Sequence, residues 1–138
     1  MKIISYLTFN GNCEEALSFY SGVFGGKPDI MRFKDMPASE DFPVSDAWKE
    51  KVMHAELVIG DQVLYLSDIF EGGTVTFGDA LVVHIDADSE EELRRLFTGL
   101  SDGGTVTMPV DTMFWGAVYG SLTDKFGVNW GFNYSLPR

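Results

Sequence analysis

The order of apolar and polar positions repeats once along the chain. Residues 3–9 (Ile-Ile-Ser-Tyr-Leu-Thr-Phe) alternate as a half-buried strand does, with Ile3, Leu7 and Phe9 on the apolar side. Over 12–24 the period lengthens: Cys13, Ala16, Leu17, Tyr20, Val23 and Phe24 fall on one stripe of a helix. Asn12, with Glu15 three residues on, is a start signal, and Gly25-Gly26 is a stop. Three strands are predicted next, at about 28–34, 52–59 and 62–67, the last two joined by the hairpin signal Gly60-Asp61.

The second half runs through the same order. A strand is predicted over 80–86, with Leu81, Val83 and Ile85 on one side. Ser89-Glu90-Glu91-Glu92 is a capping-box sequence opening a helix whose stripe is Leu93, Leu96, Phe97 and Leu100. Gly103-Gly104 ends that helix, and strands follow at about 105–111, 115–122 and 128–133. The reading is an α+β fold of two tandem β-α-β-β-β modules, about 1–68 and 78–134, within a single domain over 1–138. Their sheets would curve into a half-barrel with the helices outside. The plainer alternative is an α+β sandwich without internal symmetry. Caps, stripes and stops recurring together argue for the repeat.

One stretch breaks the symmetry. Residues 35–50 have no counterpart in the second half, and their prolines, Ser and Asp read as a loop with one helical turn at 45–50. Long loops in compact domains often serve as lids, so a cover over a cleft is expected here. Phe42 and Trp48 mark a loop that packs against something.

Composition narrows the partners. A chain of 138 residues with 45% apolar content can bury a core without staples. The formal charge is -11, and it is evenly spread: residues 1–68 hold 6 of the 10 basic and 11 of the 21 acidic side chains. Such a field repels phosphate backbones and anionic lipid, which disfavours nucleic-acid and membrane partners. The lone Cys13 lies on the first helix stripe, where a buried, inert thiol is expected. Met1 to Ser5 do not open a secretory leader and no stretch reaches transmembrane length, so a cytoplasmic location is expected. Glu90-Glu91-Glu92 needs no metal to explain it, because a helix first turn favours acids.

Five segments carry a family resemblance. Tyr6-Leu7-Thr8-Phe9-Asn10-Gly11-Asn12-Cys13-Glu14-Glu15-Ala16-Leu17-Ser18-Phe19-Tyr20 resembles the opening of PhnB-like proteins. So do His54-Ala55-Glu56-Leu57-Val58-Ile59-Gly60-Asp61 and Leu64-Tyr65-Leu66-Ser67-Asp68. Trp115-Gly116-Ala117-Val118-Tyr119-Gly120, followed by Thr123-Asp124-Lys125-Phe126-Gly127-Val128-Asn129-Trp130, completes the pattern. The resemblance implies membership of the glyoxalase/bleomycin-resistance/dioxygenase (vicinal oxygen chelate) superfamily. Some PhnB-like proteins carry a label for 3-demethylubiquinone methyl transfer. This chain has no glycine-rich strand-to-helix turn followed by an acid for S-adenosylmethionine.

The superfamily resemblance also implies one divalent metal, held by His, Glu or Gln from equivalent strands of the two modules. Position by position, its first-strand histidine falls at Tyr6 and the counterpart at Val82. The glutamate that follows the Asp-x-x-Gly turn falls at Gly131, and Glu56 alone matches a ligand. A phenol is an uncommon ligand, and valine and glycine have no donor side chain, so no metal and no other cofactor is expected there. Strand alternation offers a second arrangement, with His54 and Glu56 on the cavity side of one strand and His84 on that of another. Two histidines and a carboxylate form a known facial metal set. The plain alternative is a pocket-lining histidine hydrogen-bonded to Glu56 or Asp86. The aromatic cluster Phe114, Trp115, Tyr119, Trp130, Phe132 and Tyr134 reads as mostly core, with Trp115 and Tyr119 sharing a face that lines the cavity.

The expected function is therefore metal-free binding of a small organic molecule in a cleft lined by Tyr6, Thr8, His54, Glu56, His84, Trp115 and Tyr119. Sequestration, as in bleomycin-resistance proteins, is what the resemblance implies. The alternative is a metal-dependent lyase, isomerase or dioxygenase using His54, Glu56 and His84, and a purely structural dimer is a third reading. A homodimer is expected, since tandem modules leave edge strands to cover and superfamily members pair their subunits. Light scattering at micromolar concentration should return twice the chain mass; a monomer there overturns the expectation.

Overall fold

The computed structural model describes residues 1–37, 40–41 and 43–137, in two compact units, Met1–Thr76 and Phe77–Arg138. The first contains β1 (Tyr6–Phe9), α1 (Cys13–Phe24), β2 (Lys27–Arg32), a 3₁₀ turn at Phe33–Asp35, β3 (Val52–Ile59) and β4 (Gln62–Asp68). Its sheet has the order β1-β4-β3-β2, with β1 parallel to β4 and the other pairs antiparallel. Helix α1 packs on β2, β3 and β4. Its stripe buries Cys13, Ala16, Leu17 and Tyr20, and the strands bury Phe9, Ala55, Leu57 and Leu66. Period 3.6 meets period 2 here, and each element gives the core one side only.

Where α1 begins, the structure corrects the sequence reading. Asn12 makes no side-chain cap. The first-turn donor is satisfied from 55 residues away: Asp68 Oδ1 accepts the Cys13 backbone N–H at 2.9 Å. Its Oδ2 accepts the Val52 N–H, also at 2.9 Å, so one buried carboxylate ties the starts of α1 and β3 to the end of β4. The strand expected from residue 3 also starts late, and Ile3 is 94% exposed rather than facing the core. Pairing with β4 begins only at the Ser5 carbonyl, so the residues before it have no neighbour against which to alternate. At the other end of α1, Gly25 takes the left-handed conformation. Gly26 is required by space, since a Cβ there would lie 2.5 Å from the Val58 carbonyl oxygen.

The turn expected at 45–50 is present: the Trp48 and Lys49 amides both donate to the Ser45 carbonyl. Trp48 Nε1–H donates to the Ile69 carbonyl, Ser45 binds the Glu71 carboxylate through N–H and Oγ–H, and Lys51 Nζ reaches the Gly11 carbonyl. The second half of the insertion is thus anchored, while Phe42 lies outside the described residues. Arg32 fastens it further, with two N–H groups on the Glu14 carboxylate and one on the Glu50 carbonyl. That guanidinium holds the Glu14 carboxyl below the usual glutamate range. Burial, with the Asp68 and Glu14 carboxylates beside it, pushes the Cys13 thiol far above its ordinary value, and an inert thiol follows.

The second unit holds β5 (Val83–Asp86), α2 (Glu90–Ser101), β6 (Thr105–Met113), β7 (Ala117–Thr123) and β8 (Asn129–Ser135). The sheet order β5-β8-β7-β6, with β5 parallel to β8, matches the first unit strand for strand. The tandem β-α-β-β-β reading holds. Ser89 Oγ accepts the Glu92 N–H, and Glu92 reaches back to the Asp88 N–H, one residue beyond the expected capping-box partner. Leu93, Leu96 and Leu100 are buried, as are Val118, Leu122, Trp130 and Phe132 of the strands. Two expectations fail. Leu81 is 86% exposed because β5 begins only at Val83. Phe114 is not core: it sits with Trp115 in the β6–β7 turn, closed by Gly116 N–H on the Met113 carbonyl, and both stand exposed. The Asp-x-x-Gly sequence shapes a turn: buried Asp124 accepts the Phe126 and Val128 amides and the Trp130 indole N–H. Among the described residues, no helix is long and apolar enough to cross a membrane.

Substituting Asp68→Asn keeps the shape but turns an amide N–H₂ against one of two backbone donors. A loss of about 1–3 kcal/mol is expected, read by urea denaturation as a lower midpoint at unchanged slope. An unaltered midpoint would show that the carboxylate does not hold these elements.

Candidate functional site

The face of the first sheet turned away from α1 follows from the register. Tyr6 lies opposite Tyr65, Tyr65 opposite Glu56, and Glu56 opposite Asp29, so the four form one row across β1, β4, β3 and β2. Directly opposed residues point the same way. The neighbouring row brings Thr8 opposite Ser67 and Met31 opposite His54.

His54 is the centre of this face. Tyr6 Oη lies 2.8 Å from its Nδ1, and Glu56 Oε1 lies 3.4 Å from its Nε2. A carboxylate at Nε2 calls for the proton there. In the neutral imidazole, Nδ1 is then the acceptor and the Tyr6 hydroxyl the donor. The rings close around it: Tyr65 meets His54 edge-on at 5.0 Å between centroids, and Tyr6 meets Tyr65 at 5.7 Å. Tyr6 is about half exposed, and the side chains of His54 and Glu56 are 32% and 39% exposed. Three of the residues singled out from the sequence thus converge, and Thr8 stands one step along on the same face. Tyr65 was missed. Its signal was available in the alternation, because Leu64 and Leu66 face the core and Tyr65 between them cannot.

The second sheet carries its own cluster. The His84 and Tyr119 rings stack at 6.5 Å, and Trp115 approaches Tyr119 edge-on at 6.3 Å from the β6–β7 turn. His84 pairs with Gly131 in the β5–β8 ladder, where a Cβ would come 3.1 Å from His84 Nδ1. The missing glutamate is therefore a packing feature: glycine leaves the space beside which the imidazole lies. Among the described residues no hydrogen bond joins His84 to Asp86; Asp86 accepts from Asn133 Nδ2 at 2.9 Å. Glu56, the other partner considered, faces His54.

The residues do not fit the superfamily's metal. Tyr6 spends its hydroxyl on His54, Val82 and Gly131 offer no donor, and both His54 nitrogens have partners. Among the described residues, no three His, Cys, Asp or Glu side chains come together as a metal set.

Two β-α-β-β-β modules in tandem define the class, the glyoxalase/bleomycin-resistance/dioxygenase fold. Such a domain from Frankia sp. EAN1pec superimposes with a TM-score of 0.68 at 14% identity, over 98% of this chain and 91% of its own. Within that class the chain belongs to the PhnB-like family whose sequence profile, described as 3-demethylubiquinone-9 3-methyltransferase, matches residues 1–132. It is 30% identical to Protein YjdN of Escherichia coli K12, over 96% of this chain and 95% of that protein. The crystal structure of PA1353 from Pseudomonas aeruginosa shares 38% identity at a TM-score of 0.86, covering 99% of both chains. A putative 3-demethylubiquinone-9 3-methyltransferase, PhnB protein, from Bacillus cereus shares 27% at 0.75, covering 98% of this chain and 100% of its own.

The hydrogen bonds around His54 make a spectroscopic prediction. Long-range proton–nitrogen correlation should show the neutral ring protonated at Nε2, and Tyr6→Phe should shift its Nδ1 resonance. An Nδ1-protonated ring, or a resonance indifferent to Tyr6→Phe, overturns the assignment.

Proposed function

We propose that this PhnB-like chain binds a small organic molecule through the Tyr6–His54–Glu56–Tyr65 face, and that no metal takes part. The observation that carries the reading is the 2.8 Å contact between Tyr6 Oη and His54 Nδ1. It places a phenol, an uncommon ligand for such metals, where the resemblance puts the superfamily's histidine ligand, and it engages that phenol with His54. What remains is two phenols, an imidazole edge and a carboxylate, half open to solvent. Aromatic surface with a few placed polar groups suits a small-molecule site. Acids outnumber bases on this face, where Lys27 opposite Val58 is the cation and Asp29 and Glu56 are the anions. That balance favours neutral or cationic ligands over phosphates and carboxylates.

Methyl transfer, which the family description names, finds no support in the strand-to-helix turns. They read Asn10-Gly11-Asn12 and Ala87-Asp88-Ser89, neither of them a glycine-rich phosphate-type loop. The same proposal takes the working protein to be a homodimer in the cytoplasm.

Two measurements test it. Elemental analysis of freshly purified protein is expected to find no stoichiometric transition metal. Near-equimolar metal in the wild type, lost in His54→Ala, Glu56→Ala and His84→Ala alike, would establish the facial set and overturn the proposal. In a thermal-shift screen, a ligand present at about 100 times its Kd should stabilise by about 2.7 kcal/mol. Tyr6→Phe and His54→Ala should each remove most of that effect. Hits whose effect survives in both variants count against this face.

A further inference from the structure

The insertion that only the first unit carries does more than lengthen a connection. Its anchored half, together with the residues after β4, lines an open cavity of about 510 Å³. That volume is in the range of small-molecule sites. The walls are mainly aromatic and apolar: Phe33, Trp48 and Phe70, with Pro43 and Val44. Phe33 and Phe70 meet edge-on at 5.6 Å, which turns ring faces in different directions around one space. Among the described lining residues the charged groups are Asp41 and Glu71, both acidic, with no Lys, Arg or His. No lining residue belongs to the Tyr6–His54–Glu56–Tyr65 face.

We propose that this cavity is a second binding site, for a small organic cation: an amine or quaternary ammonium on an apolar body. Among the described lining residues, the Phe33, Trp48 and Phe70 rings give the π-surface that attracts such a cation, and Asp41 and Glu71 add negative charge. An anion would meet repulsion from both acids and from a chain of charge -11. A neutral molecule of the same shape would gain the apolar contact alone. The Trp48 ring already makes one such contact outside the described lining, with Lys51 Nζ 5.8 Å from its centroid. Lys51 is itself held on the Gly11 carbonyl. The Glu71 carboxylate is positioned rather than adrift, since Ser45 N–H and Oγ–H hold it at 2.9 and 2.5 Å. Those hydrogen bonds keep its carboxyl below the usual glutamate range and therefore ionised at neutral pH. Two accepted bonds leave a carboxylate lone pairs for a third donor.

The test uses the full chain, with benzyltrimethylammonium as the cation and benzyl alcohol and phenylacetate as the neutral and anionic controls. Proton–nitrogen spectra should move saturably at the Trp48 indole N–H and at the Ser45 and Glu71 amides. The cation should bind about tenfold more tightly than benzyl alcohol, with phenylacetate weakest. Phe70→Leu, which removes a ring and keeps apolar volume, should weaken the cation about tenfold and leave the alcohol nearly unchanged. Glu71→Gln should weaken the cation several-fold. An unchanged Trp48 indole resonance in each free variant will show that the insertion remains folded. Equal affinity for cation and alcohol overturns the proposal, as does tighter binding of phenylacetate. So do shifts centred on Tyr6 and His54 instead of Trp48, or no saturable shift with any probe.

Discussion

A four-stranded sheet served by one helix can bury only one of its faces under that helix, and this constraint runs through both units. Side chains alternate with period two, so each strand divides into core residues and residues pointing the other way. On β3, Ala55 and Leu57 are spent on the core, and His54 and Glu56 between them are presented on the opposite face. On β4 the same division buries Leu64 and Leu66 and presents Tyr65. Chemistry and stability are thus interleaved residue by residue. A one-residue slip in register would exchange them.

Two buried carboxylates fix junctions of the fold that local signals leave open. Asp68 joins the first turn of α1 to the first residue of β3, and Asp124 organises the turn before β8 while holding the Trp130 indole. Each carboxylate is nearly excluded from water, and each has its oxygens occupied by N–H donors. A buried charge in that situation stabilises a particular geometry, because any alternative leaves it unpaired. Clusters such as Tyr6–His54–Glu56 need that exactness of placement, since a hydrogen bond fails within a few tenths of an ångström.

The two units repeat one topology and have diverged in what they add to it. The first has an insertion anchored by Trp48, Ser45 and Lys51, and a polar aromatic cluster around His54. The second has a short turn bearing exposed Phe114 and Trp115, and a glycine at 131 that leaves space beside the His84 ring. At two of the positions where the resemblance places metal donors, Tyr6 and Gly131, other contacts stand instead. Tyr6 holds His54, and Gly131 leaves room for His84.

Local patterns along the chain were enough to recover the element order, both helix stripes, the Gly60-Asp61 hairpin and the Ser89 cap. Each depends on residues within about one turn or one hairpin of each other, where periodicity and capping chemistry act directly. Alternation also carried His54, Glu56 and Tyr6 as far as a common face. It failed at strand ends, where Ile3 and Leu81 keep an apolar pattern but have no neighbouring strand to bury it. Only the tertiary structure decided that Asp68 rather than Asn12 serves α1, that Tyr65 completes the cluster, and that Phe114 and Trp115 stand in a turn. These outcomes rest on pairings between residues far apart in the chain, such as the parallel β1–β4 ladder that sets Tyr6 beside Tyr65. Which distant strands pair within a unit, and in which register, is settled by closing long loops against that unit's core, a balance that no short window of sequence contains.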